Sequence, residues 1–186
     1  APGGVIDLNN SFFKSLGTNG RSCASCHVPT QGWTITPQGV QDLFKKTDGL
    51  DPLFRLVDGA NSPSAPVSTV DERRKAYSML LEKGNIRVGI GIPAAAEFEL
   101  IGVDDPYGFA SATQLSLFRR PMPTTNLSFI STVMWDGRET TRDPSSTNCI
   151  LDIVTHLPTT TCFSPVPFDL STQANHATLG HAEAAA

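Results

Sequence analysis

Five consecutive residues, Cys23-Ala24-Ser25-Cys26-His27, constrain what this chain can fold into more than any other stretch. Two thiols separated by two residues and followed at once by an imidazole have the spacing of a covalent haem attachment site. Both sulfurs lie on one side of a single turn, at the separation of the two vinyl groups, and the next side chain points at the iron. A redox dithiol has no need of that histidine. A zinc site needs a second ligand pair, which the two remaining cysteines supply poorly. The sequence therefore predicts one covalent haem c on Cys23 and Cys26, with His27 as an axial ligand to the iron.

At 186 residues the chain is long enough for one real core, and it carries 14 basic against 18 acidic side chains, a net charge of −4. No block of basic residues is present, so nucleic acid and anionic membranes are poor partners. No apolar run approaches the ~20 residues of a membrane span. Ala1-Pro2-Gly3-Gly4 has neither a charged leader nor an apolar core segment and reads as a mature end. Covalent haem attachment in bacterial c-type cytochromes takes place outside the cytoplasm, so a periplasmic or extracellular location is expected. In that compartment the remaining pair, Cys149 and Cys162, is expected to form a disulfide that closes a Thr- and Pro-rich loop.

The 15 Gly and 14 Pro break the chain into short elements. Phe12, Phe13 and Leu16 follow Asn10 at helical spacing, with Gly17 as the stop. Thr36-Pro37 predicts a capped helix with Val40, Leu43 and Phe44 on one face. Ser68 or Thr69 starts the longest predicted helix, which runs to about Lys83 and ends at Gly84, burying Val70, Tyr77, Leu80 and Leu81. Then the period changes to two. Ile86, Val88, Ile90 and Ile92, and after Pro93 the pair Phe98 and Leu100, read as a β-hairpin over about 86–101. Residues 111–119 read as helix. The expected fold class is mainly α: one c-type haem domain over 1–186, cytochrome c-like, with long irregular loops. Within it, 61–110 is an insertion carrying the hairpin and 139–170 a disulfide-tied loop insertion.

A family resemblance rests on the second half. Pro123-Thr124-Thr125-Asn126, Trp135-Asp136-Gly137-Arg138, then Gln173-Ala174 with Glu183 ten residues beyond Gln173, follow the CxxCH in order. This is similar to the N-terminal, peroxidatic-type haem domain of the bacterial di-haem cytochrome c peroxidases and their methylamine-utilisation relatives. It touches residues 18–33, 121–139 and 170–183. The chain departs from the family in three ways: a long insertion between Arg138 and Gln173, Met134 in place of the common Phe, and no second CxxCH. It reads as the single-haem half of such a protein. The resemblance implies that Gln173 and Glu183 line the distal side of the haem, where a carboxylate moves the proton of a bound peroxide. It implies that Trp135 lies on the electron route to a second haem. Partners would be peroxide and a redox protein or second haem domain, with calcium only where that second domain is present. Peroxidase-like activity would then need the partner domain.

The sixth iron position stays open in the sequence. His181 is a candidate ligand or distal acid–base group, with Met122 and Met134 as alternatives. A C-terminal helix from about Leu170, capped by Asp169 or Ser171, is expected to bring Gln173, His181 and Glu183 to the distal face. His156 and His176 lie in polar settings and are expected at the surface. Arg21, Arg119, Arg120 and Arg138 are available to haem propionates, and Trp33 and Pro29 to pack on the macrocycle. The second functional reading is a mono-haem electron-transfer cytochrome c, or a subunit of a larger redox assembly.

Overall fold

The computed structural model describes residues 4–134, 136–143 and 145–180. It divides into two compact units, the first within residues 4–125 and the second within 126–180.

In the first unit, Thr36 caps α1 (Pro37–Thr47) by accepting the Gly39 N–H, with Pro37 at the first helical position, as the sequence predicts. The predicted long helix is two shorter ones, α2 (Val70–Ala76) and α3 (Ser78–Lys83). Thr69 and Glu72 form a reciprocal capping box at the start, and Gly84 ends α3 in the left-handed conformation. The break falls at Tyr77, where Asn61 intervenes: its amide donates to Ser78 Oγ at 2.8 Å and accepts from Met79 N at 3.2 Å. Asn61 N also takes the Ala76 carbonyl at 2.7 Å, so side chain and backbone of one residue satisfy the groups that the interruption exposes.

The core contains Ile35, Val40, Phe44, Leu53, Phe54, Tyr77, Leu80 and Leu81. Phe44 and Phe54 meet edge to face, and Phe54 and Tyr77 meet at a tilt, each pair of centroids 5.3 Å apart. Tyr77 sends its hydroxyl to the Phe54 carbonyl at 3.0 Å, which lets a polar tip be buried. Gly49, at φ 72°, lies against the Phe44 ring, and a Cβ there would stand 2.5 Å from Phe44 Cε2.

The β-hairpin over 86–101 is corrected by the strand pairing. β1 (Ile86–Ile90) pairs antiparallel with β2 (Leu115–Arg119), in the register Ile86 to Arg119 and Ile90 to Leu115. The predicted helix at 111–119 is therefore a strand. Leu115 and Leu117 are two apart, which is strand spacing, and their partners on β1 decide the matter. Residues 97–100 have no strand partner, and Phe98 is exposed.

In the second unit β3 (Asn148–Leu151) and β4 (Pro158–Phe163) form an antiparallel hairpin, followed by α4 (Val166–Gly180). Cys149 and Cys162 are directly opposite and disulfide-bonded, as the sequence predicts. α4 starts earlier than Leu170, so Asp169 and Ser171 are inside it rather than capping it. Asp169 is fully buried and accepts Thr141 N at 3.1 Å.

The mainly α class does not hold. Helix accounts for 29% and strand for 14%, with two small antiparallel sheets, so the protein mixes both kinds of element among long loops. The predicted long helix breaks at Tyr77 where Asn61 intervenes, 115–119 is a strand, and the β1–β2 pair joins segments too far apart in sequence to be matched by local pattern.

Candidate functional site

Ser22 opens a 3-10 turn at Cys23–Ser25, and its N–H takes the Ser25 hydroxyl at 3.1 Å. The Cys23 carbonyl then accepts two N–H groups, from Cys26 at 3.2 Å and from His27 at 2.9 Å. This coils the pentapeptide into one tight turn. Cys23 and Cys26 are half-buried thiols, and Cys26 and Val28 pack against the core of the first unit.

His27 is oriented from behind. Its Nδ1 is 3.0 Å from the Trp33 carbonyl oxygen. A carbonyl can only accept, so Nδ1 carries the proton and the Nε2 lone pair is available to a metal. The carbonyl reaches that position because residues 28–34 turn back on themselves. Val28 N bonds Thr34 O at 3.1 Å, Trp33 N bonds Val28 O at 3.0 Å, and Trp33 adopts φ 60°. The left-handed region is costly for a residue with a Cβ, and hydrogen bonds on both sides hold Trp33 in it.

A second segment braces this strap. Thr124 N donates to the same Trp33 carbonyl at 3.1 Å, the Thr34 hydroxyl donates to Pro121 O, and Arg120 donates twice to Ile35 O, at 3.1 and 2.9 Å. Met122 lies in this braced stretch and is 60% exposed. Two buried polar atoms nearby in sequence, Arg119 Nη1 and Thr124 Oγ1, have no partner among the described residues. Aromatic rings complete the surroundings of the turn. Phe12 stands edge-on to Trp33 at 5.7 Å, tilts toward His27 at 6.4 Å, and Phe13 is 6.3 Å from Trp33. Phe12, Phe13, Trp33, His27 and Pro29 are all only half-buried, leaving an apolar shelf partly open.

The predicted arginines separate. Arg21 is buried and committed to structure: Nη1 pairs with Asp58 Oδ2 at 2.6 Å, Nε donates to Pro52 O at 2.7 Å and Nη2 to Leu53 O at 2.9 Å. These contacts tie the residue just before the motif to the loop at 52–58. Arg120 is engaged with Ile35. Arg138 is exposed and pairs with Asp136 at 3.2 Å.

In the second unit Gln173 is half-buried on α4 between Asp169 and His176, one and two turns along the same stripe. His176 is exposed and its Nδ1 is 2.8 Å from Glu139 Oε2, and His156 is exposed at the hairpin tip. Met134 is half-buried with φ 63°, beside the turn at Asp136-Gly137. Trp135, His181 and Glu183 lie outside the described residues. Among the described residues, no three His, Cys, Asp or Glu side chains gather as a metal-ion site, and no helix is long and apolar enough to cross a membrane.

Sequence reasoning missed Phe12 and Phe13 as neighbours of the motif, reading them as a helix face. They form only a 3-10 turn, Ser11–Phe13, started by Asn10. It also passed over Thr124, although that residue stood inside the Pro-Thr motif. Comparison of the chain with protein families, with curated proteins and with solved structures finds no match.

Proposed function

We propose that this protein is a c-type haem redox protein that carries one haem on Cys23 and Cys26, with His27 as the fixed axial ligand. The observation that carries the reading is the His27 Nδ1 contact with the Trp33 carbonyl. It sets the tautomer a metal-bound imidazole needs and aims Nε2 away from the strap. The unpartnered Arg119 Nη1 and Thr124 Oγ1 also fit such a group, because a partly buried guanidinium with one buried, unused N–H suits a carboxylate such as a propionate. The half-open shelf of Phe12, Phe13 and Trp33 offers apolar contact of the kind a macrocycle covers. When bound, a haem supplies reversible one-electron chemistry and, with an open position, a place for peroxide.

The chain's own residues would then divide the work. Cys23 and Cys26 would hold the haem covalently, His27 would ligate its iron through Nε2, and the Trp33 carbonyl holds the imidazole's Nδ1–H. In the reading by resemblance to the di-haem peroxidases, Gln173 and Glu183 position peroxide and move its proton, and Trp135 conducts electrons to a second haem. Met122 supports the second reading, an electron carrier with a closed iron: the braced segment that holds it bonds directly to the Trp33–Ile35 strap. His181 and Met134 are the other ligand candidates.

The test is chemical and then kinetic. Chain secreted through a haem-attachment pathway should keep its colour through acid–acetone extraction and gain the mass of one haem. Extractable haem refutes the covalent reading. Methionine-to-iron charge-transfer absorption in the ferric protein, lost in Met122→Leu, selects the carrier. Peroxide turnover that needs an added second haem domain selects the peroxidase half.

A further inference from the structure

The loop joining β1 to β2, residues 91–114, leaves an apolar strip in solvent. Phe98 is 67%, Ile101 98% and Val103 51% exposed, with Ile90 at its start 46% exposed. The strip is on a framed loop. Ile92 N bonds Ala112 O at 2.7 Å, and Ser111 and Gln114 bridge each other. Asp105 accepts the N–H groups of Tyr107, Phe109 and Ala110 at 3.0, 2.5 and 2.6 Å, and Arg87 stacks 5.4 Å from the Phe109 ring. Connections of this length without strand or helix are uncommon in compact domains; they are usually either functional or linkers, and the hydrogen bonds that frame this one set it apart from a linker.

Charge selects what can cover the strip. Between Arg87 and Arg119 the chain has no Lys or Arg, and it has four acids, Glu97, Glu99, Asp104 and Asp105. The remaining 14 acids equal the 14 bases, so the whole net charge of −4 resides in this loop. Glu97, Glu99 and Asp104 are exposed and none of them forms an ion pair among the described residues. Apolar side chains interleaved with unpaired carboxylates complement a surface with lysines around an apolar centre. They repel a second copy of this loop and an anionic membrane.

We propose that the 91–114 loop is the docking surface for a cationic partner protein, an electron carrier whose redox centre is ringed by lysines. Its being an electron carrier rests on the haem reading above; the docking itself does not. The carboxylates steer the encounter, and Phe98, Ile101 and Val103 provide the dry contact that sets its lifetime.

The experiment uses the full chain, with its haem content determined separately, and a lysine-rich mono-haem cytochrome c as the probe. Association should slow about tenfold or more as salt rises from about 10 mM to about 150 mM. E97Q/E99Q/D104N, which leaves Asp105 to hold the backbone, should bind about tenfold more weakly and lose that salt dependence. F98S/I101S should keep the salt dependence and dissociate faster. Amide shift changes on the unaltered chain should centre on residues 97–104. Binding by E97Q/E99Q/D104N within about twofold of the parent, equal binding of an acid-rich carrier, or shift changes centred elsewhere would each overturn the proposal. A chain without haem that binds the probe in this way upholds the docking surface and removes only the electron-carrier assignment.

Discussion

The carbonyl oxygen of Trp33 accepts from both His27 Nδ1, at 3.0 Å, and Thr124 N, at 3.1 Å. One backbone atom thus sets the ring orientation of His27 and ties the strap to a segment ninety residues later. The carbonyl is in place because Trp33 sits at φ 60°. Trp33→Val, with a β-branched side chain forced into the left-handed region, should therefore be less stable than Trp33→Gly by about 1–2 kcal/mol, although glycine fills less space. Denaturant midpoints of the two variants check this, and equal midpoints would show that the φ value carries no strain.

Arg21 and Asp58 form a pair whose side chains are 3% and 6% exposed. Removing one member leaves a buried charge without its partner, so Asp58→Ala should destabilise by about 3–5 kcal/mol. The double variant Arg21→Met/Asp58→Ala should recover part of that loss. A double-mutant cycle with no coupling would contradict the clamp.

Tyr77 gives a pH dependence. Burial pushes its hydroxyl pKa above the usual value, against the opposing influence of Arg73, Arg21 and Arg55. The folded state then holds the proton more tightly than the unfolded state. The contribution is complete below the unfolded value of about 10 and is lost as pH rises through the folded one. Stability should fall on the alkaline side beyond about pH 10, and Tyr77→Phe should flatten that part of the curve.

At the acid end Asp105 works in the opposite sense. The Ala110 and Tyr107 N–H groups, with Phe109 adding a smaller effect, hold its carboxyl below the usual range. Its contribution is present above the unfolded value of about 4 and is lost as pH falls through the folded one. Amide exchange at Phe109 and Ala110 should accelerate there, while Asp105→Asn should show faster exchange already at neutral pH.

Cys149 and Cys162 close a loop with a sequence separation of 13. Replacing both by serine should cost residues 126–180 about 3 kcal/mol, read as faster exchange at the β4 amides. Unchanged exchange would mean that packing alone holds the hairpin.

What was legible in the sequence was local. Thr36-Pro37 and Gly84 announce helix ends through chemistry confined to a few residues and are found where expected, and of the two candidate starts Ser68 and Thr69 it is Thr69 that caps the helix. The disulfide followed from cysteine parity and the expected oxidising compartment. Pairing was not legible: Ile86 to Ile90 reads as a strand, but nothing nearby tells it to choose Leu115–Arg119 over Phe98–Leu100. Asn61 could not be foreseen as the wedge between α2 and α3, because it acts across a loop. The motif itself was plain, whereas the second carbonyl contact, the aromatic neighbours and the fate of Arg21 depend on distant segments meeting.

Arg21 stands two positions before Cys23, yet what holds it are the carbonyls of Pro52 and Leu53 and the carboxylate of Asp58. The Cys23–His27 turn is closed by its own local bonds, but the residue leading into it is anchored only once residues 52–58 are in place. An enzyme that joined haem to this motif, as proposed, would meet the turn unanchored before residues 52–58 fold and anchored afterwards. The order of folding and any such modification would then depend on where one guanidinium finds its acceptors.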